Sequence, residues 1–216
     1  MIAVLTADLI NSTNYSETLM GRVMAVLKEE FSDVKKKYPS SDFSIYRGDS
    51  FQGVLQHPEE ALTVMLQLKT AILSISTTKK GKSREADLRI AIGIGSLDFQ
   101  GKTIEESNGQ AFQFSGRSLD EMKYEGRKTR LKTPSETING EFDASLFLLD
   151  EITDRWSTAS AEVIYFLLKG LKEKEIATEL GISQSAVNQR KKAAGWEAVN
   201  SLLERYNNII SKSFSE

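Results

Sequence analysis

The residues of this sequence best placed to do chemistry are two aspartates, Asp8 and Asp49. Asp8 lies near the end of an apolar run, residues 3–10, which is typical of a buried strand. Asp49 lies between two alternating runs, residues 43–46 and 51–55, which predict a β-hairpin with an acidic tip. Neighbouring strands would bring the two carboxylates together at one edge of a sheet, where such a pair can hold Mg²⁺ or Mn²⁺ on a nucleoside triphosphate.

A structural role is the alternative for each of these aspartates. Without any metal, one would cap a turn and the other would shape a Gly-Asp hairpin. If they do lie close together, two ionised carboxylates repel one another in the absence of a cation. We therefore expect removal of either carboxylate to stabilise the metal-free protein or to change it little.

The composition excludes several other kinds of site. Among 216 residues there are no cysteines and only one histidine, which excludes disulfides, thiolate metal sites, cysteine nucleophiles and His-rich sites. We expect His57, next to Pro58, to be an exposed residue at a helix start. The lysine-rich run 79–82 lacks the Ser or Thr and the strand-to-helix context of a P-loop, so residues 77–85 are predicted to be an exposed loop.

The elements that position the two aspartates follow from the spacing of apolar residues. Residues 16–38 and 59–75 repeat apolar side chains at helical spacing, and residues 88–94 alternate as a strand does. Together with the first strand and the hairpin, they give the order β-α-β-β-α-β. This order is the ferredoxin-like arrangement of the α+β class, in which two helices cover one face of an antiparallel sheet.

Two further helices are predicted at residues 114–127 and 143–156. A domain boundary fits just after them, so we predict a ferredoxin-like domain at 1–155 and an all-α domain at 156–216. The net charge of the chain is −2, but from Arg155 onward nine Lys and Arg stand against seven Asp and Glu. This mild asymmetry permits nucleic-acid binding by the second domain without requiring it.

The second domain begins with three predicted helices in close succession, and the last two meet at a short joint. In this joint Gly181 tolerates a positive φ, Ile182 plugs the angle between the helices, and Ser183 can N-cap the next helix. A tight turn between crossed helices requires these features, so they predict a helix-turn-helix. The three helices are predicted at residues 159–168, 172–180 and 183–194.

The third of these helices would be the recognition helix of a DNA-binding unit. Gln and Asn side chains suit adenine edges, and Lys and Arg suit phosphates or guanine. The expected DNA contacts are Ser183, Gln184, Ser185, Asn188, Gln189, Arg190, Lys191 and Lys192. The alternative is that the three helices pack against a partner protein and their polar face is merely solvated. The amphipathic stretch after them, residues 196–209, either dimerises the module or caps its core.

Three segments of the first domain resemble the class III nucleotide cyclases. Residues 6–13 are similar to the first metal motif of that family, and Gly48-Asp49 to the second. Residues 109–117 resemble the segment in which an Asn and a later Arg act on the transition state, which implies Gln113 and Arg117 as catalytic residues if this chain is an enzyme. In that family the metals activate the ribose hydroxyl for attack on the α-phosphate.

Two departures from the cyclase pattern bear on turnover. Ile45 stands where the adenine-selecting Lys is expected, and Gln113 stands where the Asn is expected. Ile45 offers no hydrogen bond to a purine and the longer Gln113 misplaces its amide, so we expect little or no cyclic nucleotide. The alternative role of Arg117 is an ion pair with Asp120 or Glu121 on its own helix.

The two halves together resemble the SatD family of bacterial proteins. The resemblance lies in residues 47–53, Arg-Gly-Asp-Ser-Phe-Gln-Gly, and in residues 174–187, which are also similar to the helix-turn-helix of many bacterial regulators and of sigma-factor region four. It implies a cyclase-like domain followed by a helix-turn-helix domain.

We therefore expect a DNA-binding transcriptional regulator, acting as a homodimer, whose cyclase-like domain serves for sensing or dimerisation. DNA and a nucleotide are its expected partners. The alternative is a Mg²⁺- or Mn²⁺-dependent nucleotidyl cyclase or nucleotide-binding enzyme with an accessory helix-turn-helix, and a pure interaction protein is a third. The apolar start, residues 1–5, is too short for a signal peptide or a membrane span, so we expect a cytoplasmic protein without a membrane partner.

Overall fold

The computed structural model describes residues 1–76 and 85–214. The predicted loop therefore lies outside the described residues, except for Glu85, and so does its lysine-rich run 79–82. Within the part of the chain that is described, no helix is both long enough and apolar enough to cross a membrane.

A five-stranded sheet forms the centre of the fold. Its strands are β1 (Ile2–Leu9), β2 (Asp42–Tyr46), β3 (Ser50–Leu55), β4 (Leu88–Gly95) and β5 (Thr129–Lys132). Their spatial order is β2-β3-β1-β4-β5, antiparallel throughout except for the parallel pair β4 and β5. Helix α1 (Glu17–Lys37) follows β1 and helix α2 (Ala61–Leu73) follows β3, so the predicted β-α-β-β-α-β order and the α+β class are confirmed, with β5 added.

Alternate residues of β1 pack on opposite faces of the sheet, as strand geometry requires. One set belongs to the core formed with α1 and α2: Ala3, Leu5, Ala7 and Leu9. Ile2 and Val4 instead contact Phe112 of a third helix, α3 (Gln110–Glu125), on the other face. Asp8 has the same parity as Ile2 and Val4, so it belongs to the face that α3 covers.

Helix α3 lies directly on β4 because β4 carries a glycine at the crossing. A Cβ atom at Gly93 would stand 2.2 Å from the carbonyl oxygen of Ala111 and 2.5 Å from the amide nitrogen of Ser115. Any side chain at this position would therefore push the helix off the sheet. The helix begins at Gln110 rather than at the predicted residue 114, since its first turn also packs against β1.

Helix α4 (Glu136–Asp154) also begins earlier than its prediction, residue 143. Ser135 is its N-cap, with Oγ accepting a hydrogen bond from the amide nitrogen of Ile138 at 3.4 Å. Asn139 and Gly140 have low helix propensity, which hides the first turns of this helix from a reading of the sequence. Packing against β5 overrides that local preference.

Four helices end the described chain: α5 (Thr158–Leu168), α6 (Glu173–Leu180), α7 (Gln184–Ala193) and α8 (Trp196–Phe214). Ile164 of α5 and Tyr206 of α8 belong to the same buried cluster as the sheet and α2. The hydroxyl of Tyr206 also donates a hydrogen bond to the carbonyl oxygen of Pro58 at 3.0 Å. One continuous core therefore crosses the predicted boundary after residue 155, and the division into two domains stays a prediction.

Two buried polar contacts fix the last helices to the rest of the molecule. Glu30 of α1 is 2% exposed and accepts hydrogen bonds from Nε2 of Gln67 at 2.7 Å and from the hydroxyl of Tyr165 at 2.5 Å. The indole nitrogen of Trp156, just before α5, donates to the carbonyl oxygen of Ala194 at the end of α7 at 2.8 Å. Buried hydrogen bonds of this kind specify one arrangement, because leaving either partner unpaired is costly.

Candidate functional site

The two predicted metal-binding aspartates lie at the same end of the sheet. Asp8 is paired across the β1–β3 ladder with Ser50, and the amide nitrogen of Leu9 donates to the carbonyl oxygen of Asp49 at 2.8 Å. The two residues therefore stand on neighbouring, hydrogen-bonded segments of chain. Coordination of a metal ion by their side chains stays a prediction.

Asp8 is neutralised by cations of the same chain. Nη1 of Arg89 on β4 lies 3.3 Å from both carboxylate oxygens, and Nζ of Lys123 on α3 lies 3.4 Å from Oδ2. The Asp8 side chain is only 13% exposed, so water screens these charges incompletely. The expectation that removing Asp8 is harmless or stabilising therefore rests on a wrong premise, since its charge is already balanced.

Sequence reasoning did not identify Arg89 and Lys123 as part of this site. The signal for Arg89 is the β1–β4 register, which places it directly opposite Asp8. That register follows from the apolar alternation only once the two strands are known to be neighbours. Lys123 carries no such signal, because the direction in which α3 crosses the sheet decides its position.

Asp49 is held by two hydroxyl groups. Oγ of Ser12 donates to Oδ2 at 2.9 Å, and Oγ of Ser50 donates to Oδ1 at 3.2 Å. Ser12 belongs to the segment that follows β1, so this contact ties that segment to the hairpin turn. The hydrogen bonds support the turn-shaping alternative, and hydroxyl donors can also rotate away from a carboxylate that takes up a metal ion.

Tyr46, the last residue of β2, is half-buried at the hairpin that carries Asp49. Burial raises the pKa of its hydroxyl, the charge of Arg47 lowers it, and the charges of Asp8, Asp120 and Asp49 raise it. Among the residues that the structure describes, however, no group of three or more His, Cys, Asp or Glu side chains is arranged to hold a metal ion.

The hairpin turn beside Tyr46 is strained. Arg47 has a φ of 57° and Gly48 a φ of 78°, both in the left-handed region. Glycine adopts this conformation freely, whereas it costs a residue with a Cβ about 1 kcal/mol. Strained residues of this kind cluster at functional sites, and the exposed Arg47 side chain stands next to Asp49 in the turn.

Gln113 and Arg117 are not brought to the two aspartates within one chain. Both are exposed on α3, and the α3 residue beside Asp8 is Lys123, about 9 Å further along the helix axis than Arg117. A groove of about 510 Å³ between α3 and α4 is lined by Arg117, but not by either aspartate. The catalytic roles that the cyclase resemblance implies for Gln113 and Arg117 stay predictions.

Arg117 forms no ion pair with any residue that the structure describes. The two partners suggested by the sequence are engaged elsewhere, Asp120 with Lys123 and Glu121 with Arg130. The expectation of an ion pair within α3 is therefore wrong for Arg117. Its guanidinium remains available to a ligand or a second molecule at the groove.

The joint between α6 and α7 has the predicted local geometry. Gly181 has a φ of 62°, and Oγ of Ser183 accepts a hydrogen bond from the amide nitrogen of Ala186 at 3.1 Å. A small buried core joins α5, α6 and α7 through one residue from each helix: Val163, Ile176 and Val187. The turn chemistry is confirmed, whereas DNA binding stays a prediction.

Helix α7 presents most of its polar side chains to solvent. Asn188 is partly exposed, and the fully exposed residues of the predicted set are Ser183, Gln184, Ser185, Gln189 and Lys192. Because these residues come from the cap and the successive turns of one helix, they form a continuous polar surface. Such a surface has the residue types that read base edges in the major groove.

The basic residues of α7 divide into two groups. Arg190 pairs with Glu162 at 3.7 Å, and Nζ of Lys191 lies 3.3 Å from Glu173 and 3.0 Å from Glu197. The hydrogen bond that the Lys191 ammonium donates to Glu197 is the main cause that raises the pKa of Lys191. Both cations therefore neutralise carboxylates of the protein itself. Lys192 forms no ion pair within the described chain, so it is the basic residue of α7 best placed for a phosphate.

Comparison with known proteins gives similarities of fold alone. No protein-family model and no curated protein matches this chain. The GGEEF domain of a diguanylate cyclase from Vibrio cholerae is 16% identical, with a TM-score of 0.43 over 62% of this chain and 83% of that one. The FimX GGDEF domain from Pseudomonas aeruginosa is 14% identical, with a TM-score of 0.42 over 61% and 80%.

A guanylate cyclase domain shows the same level of similarity. The domain of RhGC from Catenaria anguillulae, in complex with GTP, is 18% identical, with a TM-score of 0.39 over 55% of this chain and 71% of that one. These solved structures are cyclase-like domains. The roles assigned to residues of this chain rest on its own contacts.

Proposed function

We propose that this protein binds double-stranded DNA through α7 and acts as a transcriptional regulator. The observation that carries the proposal is the joint between α6 and α7, where the left-handed Gly181 and the Ser183 cap fix the direction of α7. The first turn of α7 then exposes Gln184 and Ser185 to solvent. A helix that enters the major groove by its N-terminal end requires this arrangement.

Direct readout and phosphate binding are expected to fall on different residues. Gln184, Asn188 and Gln189 offer amide groups, which pair with adenine edges in a bidentate manner. Lys192 offers an ammonium group that is not engaged by a carboxylate of the described chain, and this suits a phosphate. Lys191 was expected to share that role, but its ion pairs with two glutamates reduce its net charge toward DNA.

Gel-shift titration of the full chain with genomic fragments at two salt concentrations tests this proposal. Gln184→Ala should weaken binding to a preferred site by about 5- to 150-fold, equivalent to about 1–3 kcal/mol, and leave nonspecific binding nearly unchanged. Lys192→Ala should weaken binding to every fragment. It should also lower the slope of log binding constant against log salt concentration by about one, the value of one phosphate contact.

Two matched variants control this experiment. Gln100→Ala removes an exposed amide far along the chain from α7 and should leave binding unchanged. Lys191→Ala should reduce binding less than Lys192→Ala does, because its ammonium is already paired with Glu173 and Glu197. A chain that binds no DNA even at low salt would overturn the proposal.

A second candidate function is binding of a nucleoside triphosphate with Mg²⁺ or Mn²⁺ at the polar end of the sheet. The observation that favours it is the set of charges gathered there, with Asp8 and Asp49 beside Arg89 and Lys123. A metal–triphosphate could exchange partners with this set, since phosphates would take the two cations while the metal ion takes the carboxylates. Asp8 would then be paired before and after binding, and Asp49, held by two hydroxyl groups in the ligand-free protein, would gain a cation.

Thermal unfolding with and without Mn²⁺ and ATP or GTP tests the second candidate. A ligand at about one hundred times its Kd stabilises the folded state by about 2.7 kcal/mol, and Asp8→Asn should abolish this shift. The same variant should lower the stability of the ligand-free protein by about 1 kcal/mol, because it leaves Arg89 without its partner. Asp42→Asn, at an exposed carboxylate on β2, is the matched control.

Chromatography of long incubations with ATP or GTP separates binding from turnover. We expect little or no cyclic nucleotide, since Ile45 cannot hydrogen-bond a purine and Gln113 lies away from the aspartates. Robust formation of a cyclic nucleotide would favour a nucleotidyl cyclase over a DNA-binding regulator as the main function. A melting temperature that does not respond to any triphosphate would leave DNA binding as the remaining function.

A further inference from the structure

A cleft of about 330 Å³ opens where α2, α5 and α8 meet. Its apolar wall is formed by Leu167 and Leu168 at the end of α5 and by the partly buried indole of Trp196 at the start of α8. Thr63 of α2 also lines the cleft. This volume lies in the range of small-molecule sites, which are mostly apolar with a few polar groups and often lie where separate parts of a fold join.

The polar side of the cleft consists of amides and one carboxylate. Asn200 donates a hydrogen bond from Nδ2 to Glu204 at 2.7 Å, and Asn207 is engaged with the carbonyl oxygen of Glu59 at 3.3 Å. Asn208 is exposed at the rim. Among the described residues that line the cleft there is no lysine or arginine, and Glu204 is the one charged side chain.

These groups define the chemistry of a ligand. The indole of Trp196 offers a flat apolar face, and stacking of a base on such a face contributes about 1–3 kcal/mol. The amides of Asn200 and Asn208 can pair with the edge of a base that carries both a donor and an acceptor. The carboxylate of Glu204 repels phosphate and accepts hydrogen bonds from N–H groups.

We infer that this cleft binds a neutral purine base or its nucleoside, stacked on Trp196 and held at its edge by Asn200. The site is separate from the polar end of the sheet, because no residue is shared between them. It is also independent of DNA binding by α7. Its ligand differs from the triphosphate of the second candidate function in carrying no phosphate.

Isothermal titration calorimetry of the full chain with adenine, adenosine, guanosine, uridine and AMP tests the inference. We expect saturable binding of the purines, weaker binding of uridine, and weaker binding of AMP than of adenosine. Glu204→Gln should narrow the difference between AMP and adenosine, because it removes the negative charge that faces the phosphate. The intrinsic tryptophan fluorescence, to which Trp156 and Trp196 both contribute, should change with the same saturation curve.

A cleft-filling variant locates the binding site. Thr63→Phe adds a ring to the lining of the cleft and should weaken purine binding about tenfold or more, the equivalent of about 1.4 kcal/mol. Thr137→Phe, at an exposed position of α4, is the matched control and should bind normally. If Thr63→Phe does not give the wild-type circular dichroism spectrum, Asn200→Leu on the partly exposed side of α8 serves in its place.

Three results would overturn the inference. The first is the absence of a saturable signal from any purine up to about 5 mM, which would mean a Kd weaker than millimolar. The second is unchanged purine binding by folded Thr63→Phe or Asn200→Leu. The third is loss of purine binding in Asp8→Asn with retention in both cleft variants, which would move the ligand to the polar end of the sheet.

Discussion

Charged residues at the polar end of the sheet have partners that their sequence positions do not disclose. Local periodicity predicted Asp8 at the end of a strand and Asp49 at a hairpin tip, and the pairing of β1 with β3 puts their backbones on neighbouring segments. The partners Arg89 and Lys123 come from elements far along the chain. Their positions depend on strand order and on the direction of α3, which are properties of the folded molecule rather than of any local pattern.

Asp87, just before β4, is a second buried carboxylate at this end of the sheet. It lies 2.8 Å from Nζ of Lys69 and 3.0 Å from Nζ of Lys128. Burial pushes the pKa of Asp87 up, but the charges of Lys69 and Lys128 and their hydrogen bonds pull it down further, to about 2. Lys69 is only 1% exposed, so it depends on this carboxylate for compensation.

The lowered pKa of Asp87 makes stability depend on acid pH. Because this pKa is lower in the folded than in the unfolded chain, the ionised carboxylate stabilises the fold above about pH 4 by about 2 kcal/mol. This contribution is lost as the pH falls from about 4 towards 2. In urea unfolding, Asp87→Asn should therefore cost at least that amount at pH 7, and its difference from the wild type should shrink below pH 4.

An exposed carboxylate is the control for this measurement. Asp98→Asn changes a solvated side chain and should alter the free energy of unfolding by no more than about 0.5 kcal/mol at any of these pH values. A difference between Asp87→Asn and wild type that stays constant from pH 7 to pH 2.5 would contradict the assigned ion pairs.

At the scale of elements, long periodic segments were predictable and short or atypical ones were not. Helices α1 and α2 agree with their predicted ranges to within two or three residues at each end. A short 3₁₀ turn, Pro58–Glu60, precedes α2 at the start of its predicted range. Strand β5 was missed because half of its four residues are charged, Arg130 and Lys132. Both residues are partly buried, and the edge position of β5 accounts for their charge, since an edge strand with basic residues resists pairing with other chains.

The contact between α3 and β4 gives a prediction with an internal control. Gly93→Ala should destabilise the protein by about 2 kcal/mol or more, since its Cβ would overlap the backbone of α3. Gly116→Ala lies in the middle of α3 with nothing within 4 Å of the added atom, and should stabilise the protein by about 0.5–1 kcal/mol through helix propensity. Thermal or urea unfolding of both variants provides the measurement, and equal effects would contradict this packing.

At the scale of the whole molecule, α2 is the helix that links the sheet to the last helices of the chain. Twelve of its 13 residues are buried, whereas a helix covering one face of a sheet normally leaves one side in water. The additional cover comes from α5 and α8, which pack on the side of α2 away from the sheet. The sequence predicted α2 as an amphipathic helix with one inner side, and it did not show that further elements cover the other side.

A chain shortened to residues 1–155 tests this dependence. It would expose the side of α2 that packs against α5 and α8. We expect it to aggregate or to unfold at much lower urea concentration than the full chain, which should unfold in one cooperative transition. A stable, monomeric 1–155 fragment would instead support two independent domains, and size-exclusion chromatography with circular dichroism distinguishes the outcomes.

The buried contacts of Glu30 and Trp156 restrict how two copies of this protein would bind one DNA site together. Because α5 is locked to α1 by Tyr165 and the end of α7 is tied to Trp156, α7 has no flexible tether on which to search for a half-site. The separation of two such helices would be set by the surface through which the two bodies associate. Half-sites one helical turn apart, about 10 base pairs, would then be bound together, whereas insertion of about 5 base pairs would turn the second half-site to the opposite side of the duplex.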